Sequence, residues 1–382
     1  MFFSSVALSI MAPALCLGWP VDHTAFKKAS SFNILTYNVA GLPGIINSNG
    51  IDDKKDAAAF IGLHMREESY DVIHLQEDFD FHDVIAINDN HTYLTFSSGN
   101  VIDGDGLNTF SWYNSSLFDR YTWKECATNG GDCFTPKGFT YMTSHIDGLE
   151  VDLYNLHADA GNEWPDRLAR SEGINQLLRH INKHNKGRPV ILAGDFNDVW
   201  THPKRTINRL TDAGFTDAWV KLHHNGTIPD NNGKSNGCDH PPQNNSCEVV
   251  DKVFYRSGKF VTLDAVKFDY KSDIFVGGDN SPLSDHEPIL VDFVWSRKPF
   301  DGAKWVEEPK IPKESDDAEE PKKHKEHKGM MKKPKEANKP QKTEKKEKKE
   351  KTKAEKTKKS QDPKPFIYDW LEAFDWFEGF EK

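Results

Sequence analysis

The stretch ILAGDFNDVW, residues 191 to 200, runs out of an apolar segment into Asp195 and Asn197, a carboxylate and a carboxamide at alternate positions. Alternate side chains of an extended segment share a face. The spacing therefore predicts that both leave the end of a core strand in one direction, where together they hold an attacking water and a phosphate oxygen. A plain strand-to-turn junction uses the same two residue types, so other strand ends must decide. DVIHLQED ends its apolar run in Glu77, whose carboxylate oxygens suit a hard divalent cation such as Mg²⁺. Asn38, near the end of FNILTYNV, is placed to fix the same ion or a phosphate oxygen. SDHEPILVDF sets Asp285 and His286 before an apolar strand, and VVDKVFY carries Asp251. A carboxylate on an imidazole fixes its tautomer and raises its basicity, as general-base work requires. His157 ends VDLYNLH and supplies a second imidazole. Each residue alone has a structural explanation; five such strand ends in one chain point to a shared polar centre.

The elements that must position these residues alternate between short strands and helices over residues 32 to 295. FNILTYNV reads as a strand with Ile34, Thr36 and Asn38 on one face. Residues 52 to 69 read as a helix, DVIHLQE as a strand, and VDLYNLHA as an alternating strand. DRLARSEGINQLLRHINKH places Leu168, Ile174, Leu177, Leu178 and Ile181 at helical spacing ahead of the strand in RPVILAGDFN. EVVDKVFYR and PILVDFVW supply two more strands. More strands than helices, with long connections, predict a layered α/β fold of two packed sheets with helices outside them.

The ordered set TYNV, LQED, YNLHADAG, GDFND, VVDKVFY and SDHEP resembles the endonuclease/exonuclease/phosphatase superfamily over about residues 32 to 295. The resemblance implies a four-layered α/β/β/α sandwich of deoxyribonuclease I type that hydrolyses phosphoesters with a divalent metal, Mg²⁺ or Mn²⁺, and no covalent intermediate. By the same resemblance Glu77 is the main metal ligand with Asn38 beside it, and Asp285 is a second metal-site carboxylate. Asp195 and Asn197 orient water and phosphate, His286 paired with Asp251 is the general base, and His157 contacts the phosphoryl oxygens.

The rest of the sequence speaks of compartment and surroundings. Residues 1–18, MFFSSVALSIMAPALCLG, form an uncharged apolar run of signal-peptide length, with an uncleaved anchor or a buried N-terminal strand as the alternatives. Removing Cys16 leaves two close pairs, Cys126 with Cys133 and Cys238 with Cys247, which predict two disulfides; free thiols or a zinc site are the alternative reading. Sequons at Asn90, Asn114, Asn225 and Asn244 fall in polar stretches. Together these predict a secreted, glycosylated protein.

Domain organisation follows as the leader, a catalytic domain over 19–300, a Lys/Glu/Pro-rich linker over 301–365 that cannot bury enough surface to fold alone, and an aromatic, acidic segment over 366–382. Residues 1–300 carry 26 Lys and Arg against 39 Asp and Glu, a body that repels polyanions at long range, whereas Lys322 to Lys359 hold 18 Lys and 6 Glu. That tail is a solvated spacer or a polybasic contact for an anionic membrane surface. The final segment folds back, docks a partner or lies in a membrane interface. Nothing in the sequence asks for more than a monomer.

Three substrates remain within the superfamily. CATNGGDCFTPKGFTYM, residues 126 to 142, resembles the neutral and bacterial sphingomyelinase branch, although Thr135-Pro136 stands where that branch has an Asn before Lys-Gly. A sphingomyelinase-C-like phosphodiesterase is therefore the first reading, a secreted nuclease the second, and an inositol phosphate or phosphoinositide phosphatase the third. A catalytically silent binding module is disfavoured because every central polar position is filled.

Overall fold

The computed structural model describes residues 29–298, apart from 45–49, 52, 129–130 and 231–235, together with 331–332. Its strands form two sheets. The first contains β1 (Ala29–Asn38), β2 (Val72–Gln76), β3 (Tyr93–Leu94), β4 (Asn108–Ser111), β11 (Val261–Tyr270), β12 (Ile289–Arg297) and β13 (Met331–Lys332), in the order β11-β12-β1-β2-β4-β3-β13. The second contains β5 (Ser115–Thr122), β6 (Gly138–Ile146), β7 (Leu149–His157), β8 (Val190–Asp195), β9 (Thr216–Asp217) and β10 (Asp251–Arg256), in the order β5-β6-β7-β8-β10-β9. The helices are α1 (Lys54–Glu68), α2 (His82–Asn88), α3 (Trp164–His184), α4 (Asn208–Asp212) and α5 (Ala218–His223).

Each sheet is built around one parallel pair joined by a helical crossover: β1-α1-β2 in the first, β7-α3-β8 in the second. A parallel connection needs a long return path, and the returning helix must bury its apolar stripe on the sheet it leaves. α1 does so through Ala57, Ala58, Ile61 and Met65, clustered with Leu35, Tyr37, Ile73 and Leu75. α3 buries Ile174, Leu177 and Ile181 in one cluster with Phe139, Tyr154 and Leu156. Leu168 lies outside that stripe, 44% exposed at the first turns of α3, and Leu178 is only partly buried. Asp53 caps α1 by accepting from the Lys55 and Asp56 amides at 3.0 Å, and Pro165 occupies the first turn of α3.

The predicted layering holds: helix, sheet, sheet, helix. One element differs from its sequence pattern. Val151 to His157 of β7 reads as alternating, yet every residue of it is buried, because one face meets the other sheet and the opposite face lies under α3. Its polar residues are accommodated by partners. Asp152 accepts from Arg188 Nε at 2.7 Å and Thr143 Oγ1 at 2.9 Å. Asn155 faces the first sheet, accepting from Gln76 Nε2 at 2.7 Å and donating to the Leu75 and Asn108 carbonyls at 2.8 and 3.1 Å. Buried amides that find partners across the interface fix the relative register of the two sheets, each bond contributing roughly 1 kcal/mol.

No helix among the described residues is long and apolar enough to cross a membrane. The leader, the Lys-rich linker apart from residues 331–332, and the aromatic terminal segment lie outside the described residues.

Candidate active site

The two parallel pairs point their carboxyl ends the same way, and open α/β sheets bind ligands at that end. Asn38 is the last residue of β1 and Glu77 follows β2; His157 is the last residue of β7 and Asp195 the last of β8. Sheet register does the rest. His157 is paired with Asp195, and Asp195 with Asp251 at the start of β10, so three adjacent strands present three polar side chains in one row. Glycine at 194 permits this: a Cβ there would lie 2.0 Å from the Leu156 carbonyl oxygen, so any side chain would force β7 and β8 apart.

The sandwich brings the two rows together. The Asn38 carboxamide is buried between the sheets, its Nδ2 lying 3.3 Å from Glu77 Oε1, 3.2 Å from Asp195 Oδ2 and 3.3 Å from His286 Nε2. Its Oδ1 accepts from the Ala40 amide at 3.0 Å, which sets which end of the carboxamide faces the carboxylates. His286 arrives on the connection between β11 and β12 and places Nδ1 2.8 Å from Asp251 Oδ2. Ser284, two residues earlier, anchors that connection by donating to the Asn38 carbonyl at 2.6 Å and accepting from the His286 amide at 3.2 Å. His157 Nε2 stands 3.3 Å from Asp195 Oδ2. Glu77, Asp195 and His286, far apart in sequence, are therefore joined through one amide.

Electrostatics follow from this packing. Burial alone pushes the His286 imidazole down, but Asp251 and Asp195 outweigh it and hold its pKa well above the ordinary value. Burial pushes the Asp195 carboxyl up, yet the His157 and His286 imidazoles prevail and hold it well below the carboxylate range. Glu77 is different. Its backbone is in the left-handed region at φ 54°, a strained conformation for a residue with a Cβ, and its Oε2 is buried with no hydrogen-bond partner among the described residues. A buried carboxylate oxygen left without a donor costs about 1–3 kcal/mol or more. Hard oxygen donors with an unmatched lone pair fit a divalent cation, and Glu77 is suited to hold one; Asn38 presents its Nδ2 to the carboxylates and would join as a ligand only by turning its Oδ1 away from the Ala40 amide.

One expected site residue, Asn197, is placed otherwise. The extended run ends at Asp195, and Asn197 adopts a left-handed φ of 48°, so the two do not share a strand face. Asn197 instead closes a turn, its amide donating to Asp195 Oδ1 at 2.8 Å and its Nδ2 to the Ala158 carbonyl at 3.1 Å. Turn geometry at an Asp-x-Asn junction outweighs the period-two reading. Asp285 is exposed at the rim; its charge is felt by Lys54 and His286. The side-chain oxygens of Asp195 and Asp251 and a ring nitrogen of His286 lie within 4.8 Å of one another, a second donor group in the same place. The 2.8 Å Asp251–His286 bond already occupies part of that group.

Lys137 was not singled out by its spacing. Its ammonium pairs with Asp132 and reaches the Ala158 carbonyl at 3.4 Å. Burial pushes its pKa down, but Asp132, with Asp195 and Glu77 further off, holds it up, so a fixed positive charge stands beside the centre. Asp159, inside the YNLHADAG motif, accepts from the Ala127 amide at 2.8 Å; burial and the Asp132 charge push its carboxyl up to about 7. Both belong to the contact between the Cys126–Cys133 loop and the loop after β7. That disulfide is formed, as is Cys238–Cys247, so the zinc and free-thiol readings fall. The four sequon asparagines are all exposed.

A four-layered sandwich with carboxylates, amide and imidazoles gathered at the strand ends defines the deoxyribonuclease I class of fold. A D. rerio TDP2 crystal structure, complexed with single strand DNA product, shares that fold at a TM-score of 0.51 and 16% identity, covering 69% of this chain and 99% of that one. The family model of Endonuclease/Exonuclease/phosphatase family 2 matches residues 54–292, and the chain belongs to that family. A protein named Sphingomyelinase from Mycobacterium tuberculosis (strain ATCC 25618 / H37Rv) is 34% identical over 277 residues, 69% of this chain and 53% of that protein. A Putative neutral sphingomyelinase from Caenorhabditis elegans is 27% identical over 238 residues, 58% of this chain and 53% of that protein. The chain spans about half the length of the curated relatives it matches.

Proposed function

We propose that this chain is a divalent-metal-dependent phosphodiesterase that hydrolyses sphingomyelin in the manner of a sphingomyelinase C. The observation that carries the reading is the Asn38 carboxamide within 3.3 Å of Glu77, Asp195 and His286 at once. The names of relatives at 34% and 27% identity support the choice of substrate. An acidic body, with 39 acidic against 26 basic residues up to position 300, disfavours a long polyanion such as DNA.

In this reading Glu77 would hold Mg²⁺ or Mn²⁺, joined by Asn38 once its carboxamide turns its oxygen inward, with Asp285 at the rim as a further carboxylate. When bound, the cation supplies positive charge against the phosphoryl oxygens and opposes the carboxylates that keep His286 protonated. Asp251 fixes the His286 ring through Nδ1, leaving Nε2 to take the proton of the attacking water. Asp195, held anionic, orients that water from the Asn38 side. Asn197 steadies Asp195 through its backbone amide. His157 and the Lys137 ammonium face the phosphoryl oxygens as charge accumulates there. Water attacks phosphorus in line as the P–O bond to ceramide breaks; the ceramide oxygen leaves as the alcohol, taking up a proton that matches the one His286 removes from the water, and phosphocholine forms with no enzyme-bound ester.

The surroundings are part of the proposal: export through the N-terminal apolar run, glycans on Asn90, Asn114, Asn225 and Asn244, contact of the Lys-rich tail with an anionic membrane surface, and action as a monomer. The test is one set of assays on purified protein with Mg²⁺: release of phosphocholine from sphingomyelin, nicking of plasmid DNA, and release of phosphate from inositol phosphates. Phosphocholine release alone is expected. Plasmid nicking or phosphate release in its place overturns the substrate assignment.

A further inference from the structure

The Cys238–Cys247 loop makes a contact that none of the chemistry above uses. Its His240 places Nδ1 2.5 Å from Glu287 Oε1. Glu287 is the residue after His286, it is 4% exposed, and its other oxygen accepts from the Ser272 hydroxyl. A buried carboxylate held at both oxygens is a rigid anchor, so the backbone carrying His286 is fixed on its C-terminal side by a residue from another loop.

The same loop also fixes the other member of the dyad. Cys247 precedes Glu248, whose buried carboxylate accepts from the Trp200 amide at 2.5 Å and from Lys252 Nζ at 3.0 Å, three residues before Asp251. Asn236 and Cys238 at the start of the loop pair with Glu248 through backbone hydrogen bonds of 2.7 and 3.2 Å. Further along, Asn245 ties the loop to the first sheet, accepting from the Tyr270 amide at 2.9 Å, and Tyr270 OH donates to the Cys247 carbonyl at 2.9 Å. The loop is thus pinned next to Asp251 at one end and next to His286 near the other, with the disulfide closing it between. His240 further lines, with Ser284 and Asp285, an open cavity of about 490 Å³ beside the centre.

We infer that the Cys238–Cys247 loop is a brace for the Asp251–His286 pair, and that His240, through Glu287, is a positioning residue for the general base. The inference rests on the phosphodiesterase reading. His240 does not touch reacting atoms; it sets where the imidazole sits, and misplacement of a catalytic group by a fraction of an ångström to 1 Å is enough to cost ten- to a hundredfold in turnover.

The experiment compares His240→Ala, His240→Asn and the double variant Cys238→Ser/Cys247→Ser with wild type on sphingomyelin. His240→Ala is expected to lower kcat about tenfold with KM changed by less than about twofold, the pattern of lost transition-state positioning. His240→Asn, whose amide nitrogen donates from near the Nδ1 position, is expected to recover most of the loss, which a role in bulk packing would not allow. The double serine variant should match His240→Ala, and the triple variant should lose little more, since all act through one contact. Unchanged kcat in His240→Ala, or no rescue by His240→Asn, overturns the inference. If wild type cleaves none of the phosphoesters offered, the functional reading fails, and hydrogen exchange of residues 284–288 decides the brace separately. Faster exchange there in His240→Ala is expected, and equal exchange overturns it.

Discussion

Glu77 and Asp195 are both carboxylates at strand ends, one from each sheet, and both touch the same Asn38 amide, yet they are treated in opposite ways. Asp195 is saturated: His157, Asn38 and the Asn197 amide all reach it, and the two imidazoles hold it anionic. Glu77 has one 3.3 Å bond, a strained backbone, and a buried oxygen with no partner among the described residues. Asp195 is completed by the fold, whereas Glu77 keeps an unmatched oxygen, which in the proposed function a cation would complete. In the proposed function this contrast separates an orienting carboxylate from a binding one.

The sharpest break removes the base that both serve. His286→Ala should lower turnover by at least ~10²-fold with the fold intact, leaving the Mg²⁺ concentration for half-maximal activity unchanged. Melting curves and a metal titration check both halves of that statement. Next, Glu77→Gln and Asp195→Asn should both depress activity, but only Glu77→Gln should raise the Mg²⁺ requirement, by about tenfold, the scale seen when metal-site support is lost. Equal shifts in the two variants erase the distinction drawn above. Their stabilities in EDTA should also part: Glu77→Gln should gain about 1 kcal/mol by removing an unmatched buried charge, whereas Asp195→Asn should lose stability with its hydrogen-bond and ion partners. Urea unfolding reads the two signs.

Smaller effects come from the shell around the pair. Asp159 has a folded-state pKa pushed up to about 7, first by burial and then by Asp132. The folded protein keeps a proton that the unfolded chain sheds above about pH 4, so this residue's contribution to stability falls as pH rises from about 4 to 7 and is flat beyond. Asp159→Asn should remove that decline, which thermal melts of both proteins across the range will show. Deleting residues 301–382 should leave hydrolysis of a soluble substrate unchanged and reduce only sedimentation with anionic vesicles.

Much of the centre was legible because its residues sit at the ends of apolar runs, and several such polar ends in one chain point to a shared site although each alone has a structural explanation. Asn38, Glu77, His157, Asp195, Asp251 and His286 are all of that kind, and the structure brings them together. Sheet order and the crossing of β1 onto β8 were not legible, since pairing partners leave no local trace in a single sequence. Asn197 departs from the face of Asp195 because the extended run ends at Asp195 and the chain turns at once. Lys137 and His240 illustrate a third reason: one follows the Cys126–Cys133 loop, the other lies within the Cys238–Cys247 loop, and only the folded chain shows that these segments return to the site.

The most direct test is a Mg²⁺ titration of phosphocholine release from sphingomyelin by wild type and Glu77→Gln, starting from protein stripped with EDTA. Wild type should be silent without metal and recover fully, and Glu77→Gln should need about tenfold more Mg²⁺ for half its own maximum. Full wild-type activity in EDTA, or coincident titration curves, would contradict the assignment of Glu77 as the cation's carboxylate.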